Sequence, residues 1–231
     1  MGVSLFSILG SVCVGVYSLA TDEIVIVPPQ VPENKAQGLE KWLKTKVVCT
    51  TVGESTLIGI LARANSKGMI LPHFVQKNEI QAVKSALDIN VAVMETRQTA
   101  FGNLILTNDR GAIVDPRLKE GDVAKIADAL GTDTVPGKIA GLPYVGSLAV
   151  ATNKGVLAHP MIKEEEQRLL TDVLKVPVDV GTVNRGIPYV ATGLIANANG
   201  AVAGFMTTGP ELFIIGHALG VVEENEQSQD L

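Results

Sequence analysis

The chain has 231 residues, a net charge of −5 and a hydrophobic fraction of 46%. This is the composition of a folded globular protein, and the acidic balance excludes general binding to nucleic-acid backbones, which needs clustered basic residues. The two cysteines and three histidines have none of the spacings of a metal site. The sequence therefore predicts one large or two small domains, with no metal and no cofactor.

The chain begins with an uncharged segment, Val3 to Ala20. No Lys or Arg precedes it, and several serines interrupt it, which is unlike a signal peptide or a membrane span. We interpret residues 4–9 as a β-strand instead.

A hairpin motif recurs with a period of about 44 residues. A polar turn, a short apolar strand and a strand-breaking residue occur five times, and the breakers are Pro28, Pro72, Pro116, Pro160 and, in the last copy, Gly204. Four of the turns contain a glycine, namely Gly68, Gly111, Gly155 and Gly200. Glycine at these turns predicts a positive φ angle.

Each hairpin is followed by an amphipathic helical pattern and then by a short β-branched run. The helical patterns end at Leu43, Leu87, Leu130, Leu174 and Leu219. Before each hairpin stands an apolar residue or Thr followed by Gly, which we interpret as the start of a strand. One unit is too short to bury its own sheet and helix, so the five units are expected to share one core.

The last unit lacks its final strand, whereas the N-terminus has a surplus one. We therefore expect the N-terminal strand to complete the fifth unit and to close an α/β ring with pseudo-fivefold symmetry. Residues 1–222 would form this single domain, and residues 223–231 a flexible acidic tail. An open solenoid is the alternative, but it would need polar caps at both ends, and the N-terminus is apolar.

No catalytic constellation is evident from the sequence. Cys13 and Cys49 are interpreted as buried free thiols within strands, with a disulfide between them as the alternative. A nucleophilic cysteine needs a nearby histidine, and the three histidines belong to different units. The glycine turns lead into strands, unlike phosphate-binding loops. Helix-dipole complementarity explains the acidic run 164–166.

The segment GTVNRGIPYVATG at 181–193 departs from the repeat, since the spacing of the pre-hairpin glycines widens to 47 residues here. Asn184 and Arg185 are polar residues at this point. An insertion in a regular array often marks a functional face. The alternative is a longer hairpin loop with a solvated arginine.

Several long stretches resemble the archaeal translation initiation factor six family. They are DVLKVPVDVGTVNRG at 172–186, TNKGVLAHP at 152–160, NSKGMILP at 65–72 and FGNLILTNDRGAIVDP at 101–116. The resemblance extends from about Gly10 to Gly220. It implies the pentein fold, a five-bladed α/β propeller, and a non-enzymatic factor that binds the large ribosomal subunit and prevents association with the small one.

The resemblance also implies a ribosome-binding site, an oligomeric state and a cellular location. One rim of the ring would contact large-subunit proteins near the sarcin–ricin loop, with local rRNA contact. The corresponding positions are Gly15, Ile60, Asn103, Ser147, Leu148 and Gly193, to which the loop residues Asn184 and Arg185 are added. Ile60 and Leu148 are apolar, so inward packing is the alternative for these two. The factor is expected to be monomeric and cytoplasmic.

An enzyme remains the competing interpretation, since the same fold hosts guanidine-modifying hydrolases and amidinotransferases with a cysteine nucleophile. In those enzymes the cysteine lies in a late catalytic loop, whereas Cys13 and Cys49 lie early in this chain. This difference favours the binding factor. A purely structural scaffold is a third interpretation.

Overall fold

The computed structural model describes residues 2–221. This range contains the strands β1 Val3–Phe6, β2 Leu19–Ala20, β3 Ile24–Val27, β4 Lys46–Cys49, β5 Arg63–Ala64, β6 Gly68–Pro72, β7 Asn90–Met94, β8 Ile105–Thr107, β9 Gly111–Val114, β10 Asp133–Pro136, β11 Ala149–Ala151, β12 Val156–Ala158, β13 Val178–Val180, β14 Leu194–Ala196 and β15 Ala201–Gly204. It contains the helices α1 Val14–Tyr17, α2 Glu33–Leu43, α3 Ile58–Leu61, α4 Lys77–Ala86, α5 Phe101–Leu104, α6 Glu120–Leu130, α7 Val145–Leu148, α8 Glu164–Leu174 and α9 Gly209–Ala218, and a 3-10 turn at Val190–Thr192.

The strands form five three-stranded sheets, consistent with a pentein-like fivefold repeat. Sheet 1 is β2-β3-β4, sheet 2 is β5-β6-β7, sheet 3 is β8-β9-β10, sheet 4 is β11-β12-β13 and sheet 5 is β14-β15-β1. In the order just given, we call the three strands of each sheet the inner, middle and outer strand. The inner strand pairs antiparallel with the middle strand, and the outer strand pairs parallel with it. In sheets 1 to 4 a long helix provides the crossover that a parallel pair requires.

Sheet 5 joins the two ends of the described chain. β1 runs parallel to β15, with Val3 opposite Ala201 and Phe6 opposite Gly204. The N-terminal strand therefore takes the place of the outer strand that would otherwise follow α9.

The short helices contact one another in cyclic order. α1 contacts α3, α3 contacts α5, α5 contacts α7, α7 contacts the 3-10 turn, and the 3-10 turn contacts α1. The inner strands β2, β5, β8, β11 and β14 also contact their neighbours in cyclic order.

The core lies between neighbouring sheets. One apolar cluster joins Leu19 and Ile26 of sheet 1 to Met69 of sheet 2 and Val83 of α4, and another joins sheet 5 to sheet 1 under α2. The middle strands are buried along their whole length. They are therefore continuous apolar runs rather than alternating patterns.

The predicted positive φ at the hairpin glycines is wrong. The positive-φ glycines are found elsewhere, at 10, 53, 131, 141, 186 and 220. The hairpin positions require glycine because another helix ends against them. A Cβ atom at Gly68 would lie 1.9 Å from the Ala129 carbonyl oxygen, and one at Gly155 would lie 1.9 Å from that of Ala218.

The glycines that precede the hairpins do not start strands, contrary to expectation. Four of them lie inside the four-residue helices α1, α3, α5 and α7. These helices pack backbone to backbone, since a Cβ atom at Gly59 would lie 1.9 Å from the Gly15 carbonyl oxygen.

The expected burial of the cysteines is also wrong. Cys49 is exposed at the end of β4, and Cys13 is partly buried immediately before α1 rather than within a strand. Both are free thiols. The predicted tail at 223–231 lies outside the described residues. In the described range, no helix has the length and apolar character needed to cross a membrane.

Candidate functional site

The short helices and the loops that precede them all lie at one end of the five sheets. The parallel middle and outer strands of each sheet end there, and the loops from these ends meet in space. For example, the loop after β9 touches the loop before α7 through Arg117 and Tyr144. We call this surface the short-helix face; the hairpin turns lie at the opposite end.

The predicted rim positions all fall on the short-helix face. They are Gly15 in α1, Ile60 in α3, Asn103 in α5, Ser147 and Leu148 in α7, and Gly193 after the 3-10 turn. Cyclic contacts between these elements bring the positions together. Gly15, Ile60, Asn103 and Ser147 retain partial exposure. Leu148 has no exposed area and Gly193 is buried, so neither residue is accessible to a partner.

The two loop residues have different environments. Asn184 is buried and left-handed, with φ 50°, and its Nδ2 donates to the Val12 carbonyl oxygen at 3.0 Å. It therefore joins the loop before the 3-10 turn to the loop before α1. Arg185 is exposed on the face and remains available to a partner.

Three buried glutamates fix the loops of this face. Each is the third residue of a long helix: Glu79 in α4, Glu166 in α8 and Glu211 in α9. Glu79 accepts the N–H groups of Gly53 at 2.7 Å and Glu54 at 2.8 Å. We call the three residues the loop-binding glutamates.

The other two loop-binding glutamates repeat this arrangement. Glu166 accepts the N–H groups of Ala140 at 2.7 Å and Gly141 at 2.8 Å. Ala140 has a positive φ of 54°, a conformation that costs energy for a residue with a Cβ atom. The carboxylate stabilises this strained turn.

Glu211 has the most donors. It accepts N–H groups from Arg185, Gly186 and Thr208 and the hydroxyl of Thr182. Burial by itself would raise the pKa of Glu211, but these hydrogen bonds outweigh burial and lower the pKa to about 2. The carboxylate is therefore ionised at neutral pH.

An exposed tyrosine immediately precedes α7 in the sequence, and another immediately precedes the 3-10 turn. Tyr144 precedes α7 and is 44% exposed, and Tyr189 precedes the 3-10 turn and is 43% exposed. The guanidinium of Arg117 lies 4.6 Å from the Tyr144 ring centroid and forms two hydrogen bonds with the buried Asp115. The bonds to Asp115 and then to Tyr144 raise the pKa of Arg117. The pair presents a rigid cation beside an aromatic ring.

Sequence reasoning missed these tyrosines and the loop-binding glutamates. The tyrosines stand one residue before the Val-Gly of α7 and before Val190, and the repeat itself could have identified these positions. The glutamates carry a weaker signal, the capping box at the start of a helix. Nothing in the sequence indicates that each one also reaches a loop about 26 residues earlier.

The histidines and cysteines are dispersed. His217 pairs with Asp179 on the outer surface at 3.1 Å. His159 packs edge-on against Tyr189, and burial lowers its pKa. Within residues 2–221, no group of three His, Cys, Asp or Glu side chains is placed to hold a metal.

The sequence matches known proteins over most of its length. The model of the eIF-6 family matches residues 3–218. The chain belongs to the eIF-6 family. It is 44% identical to a translation initiation factor 6 of Pyrococcus horikoshii over 213 residues, covering 90% of this chain and 94% of the relative.

Two further relatives are similar to this eIF-6 family member over comparable lengths of sequence. Translation initiation factor 6 of Methanocaldococcus jannaschii is 43% identical, covering 90% of this chain and 94% of the relative. That of Haloquadratum walsbyi is 40% identical, covering 94% and 96%. Membership of this family identifies the chain as a non-enzymatic factor, and the hydrolase alternative is set aside.

Proposed function

We propose that the protein binds the large ribosomal subunit through its short-helix face and so keeps the small subunit from joining. The relatives are named as translation initiation factors, and we extend that role to this chain. The observation that carries the proposal is the concentration of exposed tyrosines and partly exposed rim positions on a face with fixed loops.

We also propose that residues 1–222 form one closed five-bladed propeller of the pentein type. The cyclic contacts of the short helices and the pairing of β1 with β15 support this arrangement. A closed array leaves no terminal unit with an uncovered face.

The chemistry of the face suits a protein partner with local RNA contact. Tyrosine and arginine dominate binding hot spots, and Tyr144, Tyr189 and Arg117 are such residues. The net charge of −5 favours basic ribosomal proteins over bare RNA. We place the partner proteins near the sarcin–ricin loop, with Arg185 as the RNA contact.

The mechanism is steric. A monomeric, rigid body of this kind on the intersubunit surface blocks docking of the small subunit in the cytoplasm. An interface of roughly 1,600 Å² in total is sufficient for specific binding. The loop-binding glutamates fix the face before binding, which lowers the entropy cost of association.

Gradient sedimentation tests the proposal directly. Purified protein is mixed with isolated large subunits, and small subunits are then added. We expect the protein to migrate with the large subunit and the yield of joined particles to fall. Protein that stays at the top of the gradient at moderate salt, with unchanged joining, would contradict the proposal.

Matched variants locate the contact. Tyr144→Glu and Tyr189→Glu each place a charge on the short-helix face and are expected to weaken co-migration at least tenfold. Phe213→Glu is the control, because Phe213 is 72% exposed on α9, outside that face. Equal loss in all three variants would refute the assignment of the face.

The two cysteines provide an independent footprint on unmodified protein. Cys13 precedes α1 on the short-helix face, and Cys49 is the last residue of the outer strand β4, at the edge of the same face. Bound large subunits are expected to slow alkylation of both cysteines. Alkylation rates that large subunits leave unchanged would place the interface elsewhere.

A further inference from the structure

Two small cavities lie between the five inner strands. Their volumes are about 30 and 40 Å³. Both are lined by the same layer of small side chains, Ala20, Ala64, Thr107, Ala151 and Ala196, one from each sheet. Asp22 and Asp109 line the smaller cavity, towards the hairpin turns. Arg63 lines the larger one, towards the short helices.

Arg63 brings a positive charge into the centre of the molecule. Its Nε donates to the Ile105 carbonyl oxygen at 2.7 Å, and its Nη2 donates to those of Gly102 and Gly146, both at 2.9 Å. All three acceptors are neutral, and these bonds leave Nη1 unused. Within residues 2–221, Arg63 forms no ion pair with a carboxylate.

The charge persists at neutral pH. Burial lowers the pKa of Arg63 to about 10, which still leaves the guanidinium protonated by a wide margin. The lining of the larger cavity contains no acidic side chain. Arg63 is partly buried and faces no counter-charge in this lining, so the cavity favours an anion over a cation.

Backbone donors from the inner strands reach the same space. Thr21 N–H bonds to the Ile24 oxygen and Asn65 N–H to the Gly68 oxygen. Alternation of the antiparallel ladder then turns the N–H groups of Ala20 and Ala64 away from their middle strands and towards the cavity. The carbonyl oxygens of the same two residues turn the same way, so the backbone offers both donors and acceptors to a ligand there.

We propose that Arg63 and the cavity beside it form a binding site for a single halide ion, chloride in the cell. The site goes beyond the proposed ribosome binding and does not depend on it. The volume of about 40 Å³ exceeds the roughly 10–15 Å³ that one water needs by the same measure. It is therefore large enough for a monatomic anion.

Bromide provides the direct test. Crystals of the wild-type protein grown or soaked in sodium bromide are expected to show an anomalous peak in the cavity within hydrogen-bonding distance of Arg63 Nη1. Ordered water without an anomalous signal at this position would overturn the proposal.

Thermal melting tests the site in solution. With ionic strength held constant by gluconate, raising chloride from millimolar to half-molar is expected to raise the Tm by about 3 °C through preferential binding to the folded state. Arg63→Met is expected to lose this dependence, and the control Arg168→Met, an exposed arginine on α8, to keep it.

Equal chloride dependence in wild type and Arg63→Met would overturn the proposal, as would an absence of dependence in the wild type. Should Arg63→Met not fold, Arg63→Lys keeps the charge but not the fork of donors. It is expected to bind chloride more weakly, and undiminished dependence in that variant would also contradict the site.

Discussion

Glu211 shows how one side chain organises several segments. Its carboxylate accepts hydrogen bonds from the loop before the 3-10 turn and from the start of its own helix. Lys35 is the third residue of α2, the position that Glu79 takes in α4, and its Nζ donates instead to the Ser7 carbonyl oxygen at 2.8 Å. The same position in different units therefore fixes a face loop through opposite charges.

The low pKa of Glu211 predicts an acid dependence of stability. A carboxyl whose pKa falls from 4.5 to about 2 on folding stabilises the protein fully above pH 4.5. This stability is lost as the pH falls towards 2. Glu211→Gln is expected to lower the free energy of unfolding at pH 7 by about 2 kcal/mol.

Urea titrations at a series of pH values measure this effect. The difference between wild type and Glu211→Gln is expected to shrink below pH 4.5. The exposed Glu164 provides the control, since Glu164→Gln should leave the profile almost unchanged. A constant difference down to pH 2 would contradict the assignment.

At the scale of elements, asparagines connect three of the five hairpins to the helices that end against them. Nδ2 of Asn108 donates to the oxygens of Thr152 at 3.0 Å and Leu174 at 2.9 Å. Asn65 and Asn197 make the equivalent pairs of bonds. In each case one acceptor is the last residue of a helix with a left-handed cap.

Thr21 and Thr152 take the asparagine position in sheets 1 and 4. Their hydroxyls bond within their own hairpins, to the oxygens of Ile24 and Gly155. Of the helices opposite them, α4 ends without a left-handed cap, whereas α9 is followed by the left-handed Gly220. The choice between Asn and Thr therefore does not simply follow the way the neighbouring helix ends.

Asn108→Thr tests the contribution of the two asparagine bonds, using the residue that the chain itself has at this position in sheets 1 and 4. The change removes two buried hydrogen bonds and leaves two carbonyl oxygens unsatisfied, so we expect a loss of about 2 kcal/mol. For a chain of this length that corresponds to a fall in Tm of roughly 4–8 °C.

Calorimetry measures the Tm, and Asn34→Thr on the exposed surface of α2 is the control, because Asn and Thr have similar helix propensities. An unchanged Tm in Asn108→Thr would show that the two bonds contribute nothing to stability.

At the scale of the whole molecule, the repeat made the architecture predictable. Five periodic hairpins, the leucines that end helices and the surplus N-terminal strand predict five sheets and the pairing of β1 with sheet 5. The same pattern could not reveal why Gly68 is glycine, because the constraint is the Ala129 carbonyl oxygen, 61 residues later in the chain. For the candidate site, the sequence predicted only the residues whose positions recur from one repeat to the next.

Individual side chains on the face depend on contacts between units. Leu148 repeats the position of Ile60 only approximately and is fully buried, whereas Tyr144 is exposed. Asn184 was predicted as a contact residue, but it is buried in hydrogen bonds with Val12 and Thr207. Sequence periodicity gives the location of such residues but not the direction of their side chains.

A circular permutant tests the closed ring. Gly2 lies beside Val221, so a short linker can join residues near both ends of the described range. New ends at Asp88, between α4 and β7, would make β7 the N-terminal outer strand, as β1 is now. We expect circular dichroism of the permutant to match wild type, with a Tm within about 10 °C. A permutant that fails to fold would contradict closure.

A side chain bridges every boundary between neighbouring sheets, and this has a consequence for local opening. Asn65, Asn108 and Asn197 bridge three of the boundaries, and Glu79 and Glu211 bridge those between sheets 1 and 2 and between sheets 4 and 5. Asn153 also donates to Asp22 at 2.7 Å, from the hairpin of sheet 4 to that of sheet 1. Native-state hydrogen exchange should therefore show the five sheets opening as one cooperative unit, and separate blocks of sheets would contradict this.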